Sequence, residues 1–322
     1  MFGITFAQTR RKVVISHSRV TTFMSCAQKF RFANMFTQSN SEQDSFAAGA
    51  GTAVHVGIQK YMLTHDIEEA RKQIFLTYPF HLYLDGLIRH EPKGRTFGAC
   101  LAALDHWIES GLGDRYKLVS VNGAPGEELV VEIALGSIGL LDFVYQMHID
   151  LVLEDVFTGK ICVRDIKTHD EDTPFDKYAH SKQLLPYAFV VDALMAGDET
   201  HKHGMETISS GYWFSRINGN SLMTHEELVE FGPAELAEWI HNMRQVCHSI
   251  AFQQNFGGQW MKNENTCHSW RRDCPFLDIC RASMSEHEYA ELFRKMYRDE
   301  AQRNDEKPAA TLVMNILEHE HV

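Results

Sequence analysis

The chain has 322 residues and a mass of 36.9 kDa, and 44% of its residues are hydrophobic and 23% charged, which is typical of a soluble globular enzyme. No run approaches the roughly 18 consecutive apolar residues of a membrane span, and the opening MFGITFAQTRRKVVISHS lacks the charged-then-apolar order of a signal peptide. We therefore expect a cytoplasmic protein with no membrane partner. The net charge of −12 argues against a protein that coats nucleic acid through bulk electrostatics. It does not exclude a nuclease, because a local basic groove can coexist with an acidic remainder.

The first third of the chain has a helical pattern of apolar residues. Val20, Phe23, Met24 and Ala27 recur at helical spacing, which predicts an amphipathic helix after a short strand near residue 13. A polar, Gly- and Ala-rich stretch over 37–50 predicts a mobile loop. Further helices are predicted over 51–63, 67–78 and 95–110.

The middle of the chain changes to alternation with period two, which predicts strands over 128–135, 141–153 and 160–167. The segment EDVFTGK contains a Gly turn, so the last two strands are expected to form a hairpin. A helix over 181–196, a strand over 207–216 and a helix over 232–256 follow. This order favours one α/β or α+β domain over residues 1–300. Its predicted parts are a helical region at about 16–115, a β core at about 128–216 and a helical, Cys-rich region at about 232–283, with a peripheral tail over 301–322.

The segment ICVRDIKTHD, residues 161–170, places an acid and a lysine two positions apart at the end of an apolar run. In a strand, residues i and i+2 share a face, so Asp165 and Lys167 project together. The pair is either an exposed ion pair at a strand end or half of a metal site.

Asp150 lies in HIDLVL, and a turn centred near residue 158 places it opposite residue 165, 166 or 167. Cross-strand neighbours have Cβ atoms roughly 4.5–5.5 Å apart. Two carboxylates at that spacing repel each other unless a cation intervenes, and hard oxygen ligands suit Mg²⁺ or Mn²⁺. Lys167 beside such a metal can orient or help deprotonate a water, or offset charge on a phosphate.

Other acids are weaker candidates. Asp142 also follows an apolar run, but it is too far from Asp165 for the same hairpin register. Glu132 on the preceding strand is a candidate for an added ligand.

Two helical motifs accompany the hairpin. In GAGTAVHVGIQKY, small residues that permit close backbone approach precede His55, which is either a packing residue or the third ligand of an Asp/Asp/His metal shell. In SKQLLPYAFV, Gln183 and Tyr187 share a helical face, and Pro186 fits best in the first turn. Packing is the simplest interpretation of this pair taken alone.

Seven cysteines in a chain without a secretion signal do not suggest a disulfide framework. Three of them fall within TCHSWRRDCPFLDICRAS, and thiols this close together indicate metal ligands. Cys100, Cys162 and Cys247 are expected to be buried as small apolar residues.

The motifs occur in an order that resembles the PD-(D/E)xK nuclease superfamily, specifically its RecB-type branch. Gly-x-x-x-His (Gly51–His55) precedes Ile-Asp in a strand, Asp-x-Lys-Thr fifteen residues later, and Gln-x-x-x-Tyr on a helix. The segment SHSRVTTFMSCAQKFRF is similar to the opening of that branch, and the resemblance spans about residues 13–283. The "PD" pair is absent around Asp150, as is common in the branch.

The resemblance implies a metal-dependent phosphodiesterase with a restriction-endonuclease-like α/β core, in which helices flank a central mixed β-sheet. Lys167 would help activate water, and Gln183 and Tyr187 would support the site and the DNA strand. The implied ligands of Mg²⁺ or Mn²⁺ are His55, Asp150, Asp165 and the backbone carbonyl of Ile166.

The resemblance also implies a [4Fe–4S] cluster that clips the two ends of the chain, with the ligands Cys26, Cys267, Cys274 and Cys280. The ending CPFLDIC matches the branch, whereas the first gap has six residues where two are common. Four thiolates also suit structural Zn²⁺, which is the alternative occupant. Closing a loop of about 240 residues restricts the unfolded chain, so the expected role is structural.

The leading hypothesis is an exonuclease on DNA that is single-stranded or has a free end, in recombination, repair or DNA processing. Its candidate partners are a helicase or a single-strand annealing protein, and its location would be a host cytoplasm if the source is viral. The alternatives are a structure-specific endonuclease and a non-catalytic iron–sulfur DNA-binding subunit. Phosphate contacts are expected from the basic residues Arg10, Arg11, Lys12, Lys29, Arg31, Arg271 and Arg272.

Overall fold

The structure is a computed structural model that describes residues 10–36, 46–81, 94–169, 178, 180–195, 204–217, 222–255, 260–269, 272–282, 288, 308–314 and 316–317. Residues 37–45 of the loop predicted over 37–50 lie outside the described residues. The rest of that segment, from Phe46 onward, is helical and not a loop.

The predicted helices are present within the described ranges. A π-helix, Arg31–Phe36, follows the second of them, and side chains of Ser16, Asp66 and Thr96 cap the first turns of three helices by accepting hydrogen bonds from backbone N–H groups. None of the described helices combines the length and the apolar character that a bilayer span requires. The α-helices are α1 (His17–Ser25), α2 (Ala27–Phe30), α3 (Phe46–Thr64), α4 (Ile67–Thr77), α5 (Phe97–Glu109), α6 (Leu184–Leu194), α7 (Pro233–Asn255) and α8 (Leu277–Arg281).

The strands include every strand predicted from the period-two pattern. They are β1 (Arg11–Ile15), β2 (Tyr116–Leu118), β3 (Ser120–Val121), β4 (Ala124–Pro125), β5 (Glu127–Ile138), β6 (Leu141–Asp155), β7 (Ile161–His169), β8 (Ser209–Arg216), β9 (Thr224–Val229), β10 (His268–Ser269), β11 (Arg272–Asp273) and β12 (Ala310–Val313).

Eight of these strands form one mixed sheet in the order β12-β5-β6-β7-β8-β9, with β1 and β2 also paired to β6. The pairs β1–β6, β12–β5 and β7–β8 are parallel, and the pairs β2–β6, β6–β7 and β8–β9 are antiparallel. The central mixed sheet predicted from the family resemblance is therefore confirmed.

The chain divides into two compact units. Unit 1 comprises Met1–Gln43, Val130–Met147 and Glu238–Val322, and unit 2 comprises Asp44–Leu129 and His148–Ala237. The metal ligands implied by the family resemblance belong to unit 2, and the four predicted cluster cysteines belong to unit 1. The single domain over residues 1–300 stays a prediction.

The core of unit 2 lies between the sheet and helices α3, α4 and α5. Small side chains of α3, such as Ala50 and Ala53, are fully buried, and a Cβ added at Gly57 would lie 2.6 Å from Ile74 of α4. Helix α3 also packs against β7. Helix α6 also packs on β7 and β8.

Part of the tail predicted over 301–322 pairs with the edge of the sheet, and its peripheral character stays a prediction. Ala310–Val313 form β12, which pairs in parallel with β5 from Val131 to Ala134. The physical reason is that the short apolar run around LVMNIL can bury alternate side chains on a sheet, and Ile316 and Leu317 are buried.

Candidate active site

The predicted hairpin of β6 and β7 is present and carries both carboxylates. Its antiparallel ladder runs to Leu151 opposite Arg164, so Asp150 and Asp165 are the first residues beyond the ladder on the two strands. Leu151 and Leu153 pack into the core with α3, and Asp150 comes next, where the ladder ends. The hairpin places the two acids side by side.

Asp165 and Lys167 form an ion pair with 2.5 Å between Oδ2 and Nζ. The Asp165 side chain is 3% exposed and the Lys167 side chain 23% exposed, so this is not a surface ion pair. Burial lowers the pKa of the Lys167 ammonium, but the charges of Asp165 and Asp150 outweigh burial and raise its pKa above the ordinary value.

Asp150 is held by groups from two other elements. Its Oδ2 accepts a hydrogen bond of 2.8 Å from the Ile166 backbone N–H and lies 3.4 Å from Nε2 of His55. Its backbone carbonyl accepts a 3.2 Å hydrogen bond from the Gln59 amide. His55 and Gln59 are one helical turn apart on α3, so a single helix face engages this acid.

Burial governs the protonation of these two groups. It raises the pKa of Asp150 well above the ordinary value, and the neighbouring Asp165 raises it further, while Lys167 and the Ile166 N–H oppose the shift. Burial lowers the pKa of His55 to about 4, against the opposing charge of Asp165. His55 is therefore neutral near pH 7, which is the form in which imidazole binds a metal.

Gly51 accounts for the approach of α3 to the site. A Cβ added at Gly51 would lie 2.5 Å from Oγ1 of Thr168 on β7, so a larger residue would displace the Thr168 hydroxyl or the helix. His55 lies one turn further along the same helix. The small residues before His55 thus serve the close backbone approach that the sequence predicts.

Gln183 and Tyr187 form a second support on α6. The Gln183 amide donates to Asp165 Oδ1 at 2.9 Å and to the Tyr187 hydroxyl at 3.2 Å. Pro186 is the third residue of α6, within its first turn. The pair therefore contacts the candidate site and is not simply packed in the core.

The donor chemistry of this group fits a hard divalent cation. Two carboxylates, an imidazole and the carbonyl of Ile166 are oxygen-dominated ligands of the kind that Mg²⁺ or Mn²⁺ accepts. In the part of the chain that the structure describes, no three His, Cys, Asp or Glu side chains converge closely enough to hold a metal as they stand. Asp165 is paired with Lys167 instead, so a bound cation would compete with that ion pair.

Unit 1 brings the predicted cluster cysteines toward one another. The Asn263 amide donates to the Ser25 carbonyl at 2.8 Å, next to Cys26, and the Asn263 carbonyl accepts from the Cys267 thiol at 4.0 Å. Burial is the main cause of the raised pKa of Cys274, and Cys267 and Cys26 add to it. In the described residues, no three of these thiols converge closely enough to hold a metal as they stand, so the cluster and its Zn²⁺ alternative stay predictions.

The fourth thiol, Cys280, packs with Cys274 against Phe32 and Phe276. Cys100, Cys162 and Cys247 are buried as predicted, and they lie away from the four candidate ligands in sequence.

Several of the basic and acidic candidates already have partners within unit 1. Arg10 lies 3.3 Å from Asp142, and the Lys12 ammonium contacts both carboxylate oxygens of Glu132 at 2.9 Å. Arg31 stacks over Trp260 at 5.9 Å. Arg271 lies outside the described residues, and the remaining candidates for phosphate contacts stay predictions.

Three contributors to the site were not predicted from the sequence. Gln59 could have been found from its i+4 spacing to His55. Tyr178 and Tyr212, whose rings lie 5.6 and 6.0 Å from the Lys167 ammonium, belong to elements that only the fold brings to the hairpin. No local pattern in the sequence marks them.

Comparison with known proteins gives one matching family and a distantly similar solved structure. A family model described as the PD-(D/E)XK nuclease superfamily matches residues 14–281. No curated protein matches the chain. A solved structure titled "Crystal structure of SSO0001" is 13% identical, with 88% of this chain and 90% of that chain covered and a TM-score of 0.35.

Proposed function

Because the chain belongs to the PD-(D/E)XK nuclease superfamily, we propose that it is a Mg²⁺- or Mn²⁺-dependent deoxyribonuclease. The observation that carries the proposal is the buried group on one hairpin, where Asp165 is paired with Lys167 and Asp150 lies beside His55. A buried acid pair with a lysine at one edge suits the hydrolysis of a phosphodiester better than a purely structural role.

The residues of the chain have distinct tasks in the proposed reaction. The cation would be held by His55, Asp150, Asp165 and the Ile166 carbonyl, and when bound it would supply Lewis-acid chemistry and lower the pKa of a water. Lys167 orients the attacking water and offsets negative charge on the phosphate during in-line displacement. Gln183 fixes the Asp165 carboxylate through its amide, and Tyr187 in turn positions Gln183.

The finer proposal is a RecB-type exonuclease acting on DNA that is single-stranded or has a free end, in recombination, repair or DNA processing. The order of the five motifs along the chain supports it, from the opening segment SHSRVTTFMSCAQKFRF to the Gln183–Tyr187 pair. A helicase or a single-strand annealing protein is the proposed partner.

We further propose that Cys26, Cys267, Cys274 and Cys280 bind a [4Fe–4S] cluster, with structural Zn²⁺ as the alternative. The contacts of Asn263 with Ser25 and Cys267 support this, because they tie the early cysteine to the late ones. The cluster would be a structural clip within unit 1.

The test of the nuclease proposal uses anaerobically purified full-length protein. End-labelled linear and circular single-stranded DNA are incubated with Mg²⁺, Mn²⁺ or EDTA, and Lys167→Ala is compared with wild type. We expect metal-dependent loss of the linear strand only, and no cleavage by the variant. Lys160→Ala is the matched control, because Lys160 is an exposed lysine just before the same strand.

Each outcome of this test has a definite meaning. Cleavage of the circle as well would replace the exonuclease proposal with an endonuclease. Equal cleavage by wild type and Lys167→Ala, or none with any metal, would reject catalysis at this site and favour a DNA-binding protein.

A further inference from the structure

The Lys167 ammonium is flanked by aromatic rings as well as by Asp165. Its Nζ lies 5.6 Å from the centroid of the Tyr178 ring and 6.0 Å from that of Tyr212. Both distances are within the range in which a cation is attracted to the face of a ring. The ammonium therefore has one anionic neighbour and two aromatic ones.

The two rings belong to a packed aromatic group and are not free to move aside. Tyr212 is directly opposite Asp165 in the β7–β8 register and is fully buried. The centroids of Tyr178 and Tyr212 are 5.1 Å apart, and Phe214 packs against both at 5.4 and 5.9 Å. Tyr178 is also anchored through its carbonyl, which accepts from the Ser181 N–H at 2.9 Å.

The need for such an anchor follows from the chemistry of Lys167. A lysine has a flexible four-carbon stem and a single point charge, so one ion pair leaves its position poorly defined. Asp165 is also a proposed metal ligand, and its charge is shared with the cation when the metal binds. The rings would then be the contacts that keep the ammonium in place.

We propose that Tyr178 and Tyr212 are positioning residues that hold the Lys167 ammonium beside Asp165 by cation–π contact. This inference rests on the proposed nuclease function, in which Lys167 acts on the water or the phosphate. The tyrosines touch neither, and their contribution passes through Lys167.

The kinetic test varies the electron density of the ring at position 178 while its shape is kept. Tyr178→Phe is compared with 4-fluoro-, 3,5-difluoro- and 3,4,5-trifluorophenylalanine at that position, because fluorination weakens the negative face of the ring. We expect Tyr178→Phe to stay near wild-type kcat and log kcat to fall steadily with fluorination. Tyr178→Leu should lower kcat about tenfold, which corresponds to about 1.4 kcal/mol in the barrier, with KM for DNA unchanged.

A second measurement does not depend on activity. The measurement is NMR on protein with isotope-labelled lysine, in which the ε-methylene resonance of Lys167 is identified by its loss in Lys167→Met. The ring currents of the two tyrosines should displace this resonance upfield. Tyr178→Leu should move it toward the ordinary lysine position. Tyr61→Leu is the matched control, because Tyr61 packs on Trp107 instead, and it should leave the resonance unchanged.

The kinetic test and the NMR measurement together distinguish failure of the nuclease proposal from failure of the positioning proposal. An inactive wild-type protein would reject the nuclease function, and the resonance alone would then decide whether the rings hold Lys167. A Lys167 resonance at the ordinary position would overturn the inference, and so would an active enzyme whose kcat does not respond to fluorination. If Tyr178→Leu fails to fold, the fluorinated series still decides, because its members preserve the packing.

Discussion

Asp165 is fixed through both of its carboxylate oxygens. The Gln183 amide donates to Oδ1 at 2.9 Å, and Lys167 lies 2.5 Å from Oδ2. A carboxylate constrained in this way presents its remaining lone pairs in a defined direction. Hydrogen-bond partners that orient a metal ligand in this manner strengthen metal binding. Gln183 therefore matters to the site although it carries no charge.

Replacement of Gln183 by alanine should weaken the site without unfolding the protein. Loss of one supporting hydrogen bond to a metal ligand typically costs about 10- to 100-fold in metal affinity or activity. We expect Gln183→Ala to require more Mn²⁺ for half-maximal cleavage, measured by titration of activity. Gln245→Ala, at an exposed position on α7, should leave the titration unchanged; an equal effect of both variants would contradict the role of Gln183.

At the scale of elements, the approach of α3 to β7 positions His55. The approach depends on Gly51, where any side chain would meet the Thr168 hydroxyl. Overpacking of this kind costs about 1–3 kcal/mol. Because the clash involves two named groups, its removal from either side should relieve it.

Gly51→Ala should lower both the thermal midpoint and the cleavage rate, since the new Cβ pushes against the Thr168 hydroxyl and shifts the face of α3 that carries His55. Thr168→Ala added to this variant should restore both, because the hydroxyl that the new Cβ meets is gone. Gly98→Ala on α5 is the control, because its Cβ would meet nothing closer than 4.0 Å. Failure of the double variant to recover would mean that Gly51 is needed for another reason.

A buried ion pair ties β7, β8 and β9 together behind the site. Arg164 is 1% exposed, and its Nε donates to Glu226 at 2.7 Å, while Trp213 and Tyr116 donate to the same carboxylate oxygen. Burial alone would raise the pKa of Glu226, but the charge of Arg164 and these hydrogen bonds hold it below the ordinary value of 4.5.

The sign of the pH dependence follows from this lowered pKa. A carboxylate whose pKa is lower in the folded state than in the unfolded state stabilises the fold at pH values above the unfolded-state pKa. This contribution is lost as the pH falls through the folded-state pKa. Glu226→Gln should cost about 3 kcal/mol near pH 7, because Arg164 is left buried and unpaired, and the difference from wild type should shrink below pH 4.5.

Chemical denaturation across pH 3–7 measures this difference. Glu227→Gln is the matched control, since the neighbouring Glu227 is half-exposed and pairs with His225. A constant difference between Glu226→Gln and wild type at every pH would show that the ionised carboxylate contributes nothing.

At the scale of the whole molecule, the four proposed cluster cysteines join segments of chain that are about 240 residues apart. Protein expressed with iron and purified without oxygen should be brown, and Cys274→Ala should lose the colour, the iron and part of the thermal stability. Cys247→Ala, a buried cysteine of the same unit, should keep all three. Metal analysis that finds zinc would select the alternative occupant, and the absence of both metals would reject the site.

The sequence predicts those features that depend on local pattern. The β6–β7 hairpin follows from alternation around a Gly turn, and the helices follow from period 3.6 and their caps. Strand β9 was missed because THEELV shows no apolar alternation, and its Glu226 is stabilised by Arg164 from a distant strand. The rings around Lys167 were missed for the same reason, since Tyr178 and Tyr212 belong to elements that only the folded chain brings to the hairpin. The resemblance, in contrast, already implied that Gln183 and Tyr187 support the site.

The placement of Asp150, Asp165 and Lys167 on one hairpin has a consequence for how the site assembles. The turn over residues 156–160 closes a very short loop, and short loops cost little entropy and form quickly. The two acids repel each other as soon as β6 and β7 pair. Lys167 lies on β7, next to Asp165, and serves as the counterion from that moment. The acidic half of the site can thus form early, before the far more distant His55 arrives with α3.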